Sequence, residues 1–184
     1  MKPLFLTAHY DDLEVCAGGT ASRCYGYSIV LYPKPAHGKD HERERSYEIL
    51  NVEKSWVAGD TERRLVDSLD SWLNVHDIKQ IIATSPHDSH PEHRQVADIA
   101  RQVARKNNVD LWFMDHAMPG GYSGTAPRPN HFVKFESNDK YDALNCYDIL
   151  SAADKRAVAA RDMYYGRMLG STYAEGFIIE RSSQ

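Results

Sequence analysis

Short apolar runs alternate along this chain with segments whose apolar residues recur every three or four positions. The runs Pro3–Thr7, Ser28–Tyr32, Ser55–Ala58, Gln80–Thr84 and Leu111–Met114 are brief and nearly free of charge, which predicts strands buried on both faces. Between them, Leu65, Val66, Leu69, Trp72 and Leu73 form one helical stripe, and Val96, Ile99, Ala100 and Val103 form another. The alternation predicts an α/β fold, a Rossmann-like three-layer sandwich with a mostly parallel sheet and helices on both faces. Sheets of that kind bind ligands beyond the carboxyl ends of their strands. Further along, "HFVKFE" reads as a strand. A long helix is expected around Asp148–Leu169, with Ala153, Ala157, Ala160 and Tyr164 on one face, and "YAEGFIIER" reads as a last strand or an ordered tail. Residues 117–130, "AMPGGYSGTAPRPN", are rich in glycine and proline and read as a loop, either a plain connection or a flap over the site.

With 184 residues and neither an internal repeat nor a linker, the chain is expected to form one domain, 1–184, around one sizeable core. The net charge of −4 is made of interspersed charges. No basic block suggests a nucleic-acid surface, although a small nucleotide-like substrate stays open. The apolar run at the N-terminus is too short for a signal peptide, and no stretch reaches the length of a membrane span. Cys16, Cys24 and Cys146 form no C-x-x-C pair and read as reduced thiols of a cytoplasmic protein. No G-x-G-x-x-G follows the first strand, which argues against a dinucleotide-binding protein.

Polar chemistry gathers at two strand ends. In "LTAHYDDLEVCAGGTA", residues 6–21, an apolar strand runs directly into His9, Asp11 and Asp12. A strand end followed by a turn can aim His9 and Asp12 at one point. Asp11 can then reach a water there as general base. The bland alternative is a helix capped by Asp11 or Asp12. Gly18 and Gly19 fall inside the helix that follows, at up to about 1 kcal/mol each relative to alanine, so close packing of that helix on the sheet is expected to compensate. In "TSPHDSHPEHRQVADIA", residues 84–100, His87, His90 and His93 follow another strand. Pro91 suits the first helical position, which makes His90 a cap residue and puts His93 one turn further on the same side. Alone, this is a capped surface helix with solvated histidines. Together the two stretches describe a nitrogen/oxygen metal site with an open position for water. Spacing does not separate the roles of His90 and His93.

These residues resemble the PIG-L/LmbE-like zinc-dependent deacetylases, which remove acetyl groups from N-acetylglucosamine-type amides. The family's A-H-P-D-D-E motif, followed at a fixed gap by G-G-T, is similar to "AHYDDLEVCAGGT", with Tyr10 for the proline and Leu13 for the glutamate. Its H-P-D-H motif is similar to "HPEH", with Glu92 for the aspartate. Its R-x-x-E element ahead of L-G-V is loosely matched by "KDHERERSYEILNV", with Lys39 and Glu42 at those spacings, and "YAEGF" looks like a family C-terminal segment. The resemblance implies that His9, Asp12 and His93 hold the metal, Zn2+ or another divalent ion such as Fe2+. It implies that Asp11 is the base, that His90 stabilises the oxyanion or protonates the amine, and that Glu92 orients a histidine. Lys39 and Glu42 stand where the family binds substrate, but Lys39 lacks the planar fork of an arginine. The expected activity is hydrolysis of the acetyl amide of an N-acetylated amino sugar or related conjugate. Two alternatives are a deacylase of a non-sugar amide, such as a thiol conjugate or modified nucleoside, and a binding module on the same fold that has lost catalysis.

Overall fold

The computed structural model of the chain describes residues 2–34, 38–115 and 127–181. In chain order the elements are β1 (Leu4–Thr7), α1 (Asp12–Cys24), β2 (Tyr27–Val30), α2 (Asp40–Leu50), β3 (Glu53–Ser55), α3 (Glu62–Val75) and β4 (Gln80–Ala83). There follow α4 (Pro91–Asn107), β5 (Asp110–Met114), β6 (His131–Phe135), α5 (Asp139–Leu144), α6 (Ala152–Met168) and β7 (Tyr173–Arg181). The strands make one seven-stranded sheet in the order β3-β2-β1-β4-β5-β7-β6. The strands from β3 to β5 are parallel to one another, while β7 runs antiparallel to both its neighbours, so the sheet is mixed.

Strand periodicity sorts the core into two layers. Leu4 and Leu6 of β1, Ile81 and Ala83 of β4, and Leu111 and Phe113 of β5 pack with the stripes of α3 and α4. Phe5, Ile82 and Met114 point the other way, into a cluster with α1, α2, α5 and α6. Leu65, Leu69 and Leu73 of α3 and Val96, Ile99, Ala100 and Val103 of α4 are buried as their spacing predicts.

Three expectations are corrected. The third strand is the polar Glu53–Ser55 and shares only Ser55 with the apolar run Ser55–Ala58. It is the sheet edge, paired with β2 alone, and does not need two apolar faces; Trp56 leaves the sheet 78% exposed. The last helix begins at Ala152, capped by the Ser151 hydroxyl, and a short separate helix, α5, precedes it. Its buried face is not the alanine stripe: Ala153, Ala160 and Tyr164 are exposed, whereas Val158, Arg161, Asp162 and Gly166 are buried. A buried face built on charge escapes a search for apolar periodicity. Of the expected loop at 117–130, residues 117–126 lie outside the described residues. Among the described residues, no helix is long and apolar enough to cross a membrane.

The charged face of α6 belongs to a buried polar network that explains the glycines. α1 is broken at Ala17 (φ −143°, ψ 18°), which frees amide groups beyond the break. The Gly19 and Thr20 N–H groups donate to the Glu175 carboxylate at 2.8 and 2.7 Å, and the Thr20 hydroxyl donates at 2.6 Å. Lys140 Nζ lies 2.7 Å from both Glu175 and Asp162, and Arg161 pairs with Asp162 at 2.8 Å. A Cβ on Gly19 would stand 2.4 Å from the Phe135 ring of β6, and one on Gly18 would stand 3.0 Å from Lys140 Cγ. Glu175→Ala leaves two buried amides without an acceptor and takes from Lys140 one of its two carboxylates, so it is expected to cost about 3–5 kcal/mol in urea unfolding. Gly19→Ala is expected to cost about 1–3 kcal/mol through overpacking, outweighing the roughly 1 kcal/mol gained in helix propensity; a gain in melting temperature would contradict the packing described.

Candidate functional site

β1 and β4 are adjacent parallel strands, so the segments that follow them emerge side by side at the carboxyl edge of the sheet. After β1 the backbone folds back on one carboxylate. Asp12 Oδ2 accepts from the Ala8 N–H at 3.1 Å and the His9 N–H at 2.8 Å. The Thr7 hydroxyl donates to the His9 carbonyl at 3.2 Å, and the Tyr147 hydroxyl donates to the Tyr10 carbonyl at 2.7 Å. Asp11 is the half-buried N-cap of α1, but its side chain does not cap the helix. After β4, Asp88 does similar work: its Oδ1 accepts from the His90 N–H at 2.7 Å, and Arg94 donates to its carbonyl at 2.8 Å. His90 is the N-cap of α4, with Pro91 behind it, and its Nδ1 accepts from the Glu92 N–H at 3.3 Å.

These two turns bring His9, Asp12, His90 and His93 together. His93 Nε2 lies 3.2 Å from His9 Nδ1 and 3.2 Å from Asp12 Oδ1. Each of these imidazoles is tied on its outward side. His9 Nε2 meets Glu92 at 2.7 Å, and His93 Nδ1 meets Asp88 at 2.8 Å. Lys34 holds the other oxygen of Glu92. The His90 ring stands edge-on to His9, with centroids 4.7 Å apart, and 5.0 Å from His93. His87, which precedes this turn, is not part of the cluster formed by His9, His90 and His93, whose ligand atoms lie within 4.8 Å of one another.

The electrostatics favour a cation at this point. Burial lowers the pKa of His93, but Asp12 and Asp88 on either side outweigh it and carry it up to about 10. Burial also opposes charge on His9, yet Asp12 and Glu92 leave it raised. Burial works against the Asp12 carboxylate too, but His93 and His9 hold it well below the ordinary range. Lys34 and His9 draw Glu92 down to about 2. His90 behaves oppositely: burial, then the neighbouring His93 and His9, lower its pKa.

The donor set fits a divalent metal. Zinc–nitrogen bonds of about 2.0–2.1 Å at tetrahedral angles put ligand atoms roughly 3.3 Å apart, close to the spacing of His93 Nε2 from His9 and Asp12. Carboxylates on the outward nitrogens are the usual support of metal-bound imidazoles. His9–Asp12–His93 meets these conditions about His93; a second set, His9–His90–His93, has its ligand atoms within 4.8 Å of one another, with His90 Nδ1 facing the Glu92 N–H and not a carboxylate.

The remaining sequence candidates stand at the start of α2. Glu42 accepts from the Lys39 N–H at 2.7 Å and from the Asp148 N–H at 3.4 Å, so its carboxylate closes the helix end. Lys39 Nζ is exposed, 4.0 Å from Asp148. Sequence reasoning did not identify Asp88, Lys34 or the group behind the first turn. There, Glu14 is fully buried and accepts from the Ser46 and Tyr147 hydroxyls, and burial pushes its carboxyl up to about 8. The acid within "HDSH" was a visible signal for Asp88; nothing local marks Lys34 or Tyr147.

A scan against protein-family models and a search of curated protein sequences both give no match. Solved structures do match over nearly the whole chain. N,N'-diacetylchitobiose deacetylase from Pyrococcus horikoshii aligns with a TM-score of 0.75 and 17% identity, covering 97% of this chain and 83% of that one. The 4-carboxy-2-hydroxymuconate hydratase GalB from Pseudomonas putida KT2440 aligns with a TM-score of 0.76 and 15% identity, covering 100% and 99%. The zinc-inhibited form of the teicoplanin deacetylase Orf2 aligns with a TM-score of 0.74 and 13% identity, covering 96% and 97%. The chain has the fold of these proteins. At such identities the likeness is one of fold, and chemistry has to be argued from the site.

The flanking carboxylates give a measurable signature without metal. A histidine with a raised pKa stabilises the folded state fully below its unfolded value, and this contribution is lost as pH rises through the folded value. The metal-free protein is therefore expected to lose thermal stability between about pH 7 and 10, with the His93 imidazole still protonated at pH 8 by NMR. Asp88→Asn is expected to lower that titration and flatten the stability profile. A neutral His93 at pH 7 in the metal-free protein of natural sequence would contradict the arrangement.

Proposed function

We propose that the chain is a metal-dependent amide hydrolase that removes the acetyl group from an N-acetylated amino sugar or related N-acyl conjugate. The observation that carries the reading is the convergence of His9 Nδ1, Asp12 Oδ1 and His93 Nε2, with spacings of 3.2 Å about His93 and carboxylates behind both imidazoles. The fold shared with two deacetylases supports it.

In this reading His9, Asp12 and His93 hold zinc, with Fe2+ an acceptable substitute for the same donors. The metal supplies a Lewis acid and a water acidic enough to attack at neutral pH. Asp11 stands next to Asp12 in the chain and would take the proton of the water that attacks the acetyl carbon. His90 has Nδ1 occupied by the Glu92 N–H, so in its neutral form the proton sits on Nε2. From there it donates to the oxygen that gains charge. Asp11 passes its proton to the departing nitrogen, and the products are acetate and a free amine. A second reading has a specific observation behind it. The muconate hydratase of the same fold adds water to a carbon skeleton, which makes hydration of an unsaturated acid the competing activity.

Acetate release from a panel of N-acetylated sugars, thiol conjugates and nucleosides tests the reading. Release is expected to vanish with a chelator and return with zinc. No release across the panel, with water added to an unsaturated acid instead, would overturn it. Asp11→Asn is expected to keep its metal while the rate falls by roughly 10²–10⁴. His90→Ala is expected to keep its metal and lose about 10²–10³ in rate, whereas Asp12→Ala and His93→Ala lose the metal by elemental analysis. Zinc retained in Asp12→Ala but lost in His90→Ala would assign the site to the three histidines instead.

A further inference from the structure

Two arginines are buried among the described residues, and the fold treats them differently. Arg161 is saturated: it pairs with Asp162 and donates to the carbonyls of Val15 at 2.6 Å and Asp115 at 3.1 Å. Arg43, on the first turn of α2, is 5% exposed and its Nε is sealed from solvent without an acceptor. Among the described residues no carboxylate reaches its guanidinium at ion-pair distance. The acids nearby are engaged elsewhere. Asp40 and Glu44 lie 3.8 and 2.9 Å from Lys54, and Glu42 closes the helix end. What holds Arg43 is a pair of tyrosines: its guanidinium carbon sits 4.9 Å from the centre of the Tyr10 ring and 5.3 Å from that of Tyr47, and it shares the Tyr10 hydroxyl with Asp40.

A guanidinium removed from water without a counter-ion is costly, and two ring faces offset only part of that cost. They do fix the plane of the fork, which is what bidentate recognition of a carboxylate or phosphate needs. The position suits such a ligand. Tyr10 follows His9 directly in the chain, so the residue that supports the guanidinium adjoins a member of the histidine cluster. Lys39, the extended N-cap residue just ahead of α2, adds a second cation at the same helix end, and the N-terminus of α2 adds its dipole.

We infer that Arg43 binds an anionic group, a carboxylate or phosphate, on the molecule processed at the cluster of His9, Asp12 and His93. The substrate class is then a negatively charged N-acyl compound, and the charge anchor is not Lys39, where the sequence places it, but the residue one turn on. The acyl part of this statement rests on the hydrolase reading; the anionic part rests on Arg43.

Calorimetry on the zinc-loaded protein tests the anionic part without catalysis. The probes are glucosamine, glucosamine 6-phosphate, muramic acid, which is glucosamine bearing a lactyl carboxylate, and inorganic phosphate. At least one charged sugar is expected to bind about 10–100-fold more tightly than glucosamine, the range for one or two charge-assisted hydrogen bonds. The preference should shrink as salt is raised. Which charged sugar wins identifies phosphate or carboxylate. In Arg43→Gln the preference is expected to disappear, and in Arg43→Lys to survive in part, both with unchanged zinc content. Should Arg43→Gln fail to fold, Arg43→Lys decides: a weakened preference in a protein of natural melting temperature supports the inference, and an undiminished one overturns it. Equal affinity for neutral and charged sugars, or a preference that persists in folded Arg43→Gln, also overturns it. An anion preference without acetate release removes the hydrolase reading and leaves this one standing; acetate release without anion preference does the reverse.

Discussion

Asp12 ties the strand, the helix and the site into one object. Its Oδ2 is taken by the backbone N–H groups of Ala8 and His9, so the carboxylate itself shapes the turn that ends β1. Its Oδ1 is left facing His93 Nε2 at 3.2 Å. A side chain that both closes the turn and enters the cluster cannot move without disturbing His9, whose backbone it holds. Its negative charge is also what raises the affinity of both imidazoles for a cation, and their charge in turn holds its carboxyl well below the ordinary range against burial. Geometry and electrostatics are therefore set by the same atoms, which is the condition for a preorganised site.

The rest of the chain keeps that object in place from behind. α1 carries Asp12 in its first turn and breaks at Ala17, and the part beyond the break is docked on Glu175 through two amides and a hydroxyl. Glu175 reaches this point because β7 enters antiparallel between β5 and β6. Lys140, Asp162 and Arg161 complete the charge balance, all of them buried. A network of this kind adds little stability beyond an apolar core, but each member is expensive to lose, so it enforces one arrangement of the helix against the sheet.

Sequence periodicity recovered the parts of the fold that obey a simple rule. α3 and α4 bury one apolar stripe each, and β1, β4 and β5 alternate between two apolar layers, so their patterns were legible. The edge strand Glu53–Ser55 was missed because it has only one partner and a polar sequence, and the apolar Trp56 beside it drew attention to residues that lie outside the sheet. The buried face of α6 was missed because Arg161 and Asp162, not alanines, occupy it. In the site, His9, Asp12, His90 and His93 could be picked out because imidazoles and carboxylates at two strand ends have few other uses. Asp88 and Lys34 could not be placed, since their roles depend on how two loops meet.

The departures from the family-like motifs bear on whether this is an altered site or an abandoned one. A site released from its chemistry accumulates substitutions without partners. Here each has one. Glu92 stands where an aspartate is usual, and its extra methylene lets it span His9 and Lys34. Leu13 is fully buried in the layer around Phe5, while Glu14, one position on, is met by Ser46 and Tyr147. Tyr10 stands where the similar motif has proline; its carbonyl accepts from the Tyr147 hydroxyl at 2.7 Å, and it adds a ring that proline lacks. That ring is the support of Arg43. Tyr10 and Arg43 make sense together and neither does alone: without the ring the guanidinium would be buried with fewer compensations, and without the guanidinium the tyrosine would be a bulky substitute for a rigid turn residue. Under the proposed function, the pairing of Tyr10 with Arg43 beside His9 in sequence is what a site adapted to a different substrate would carry.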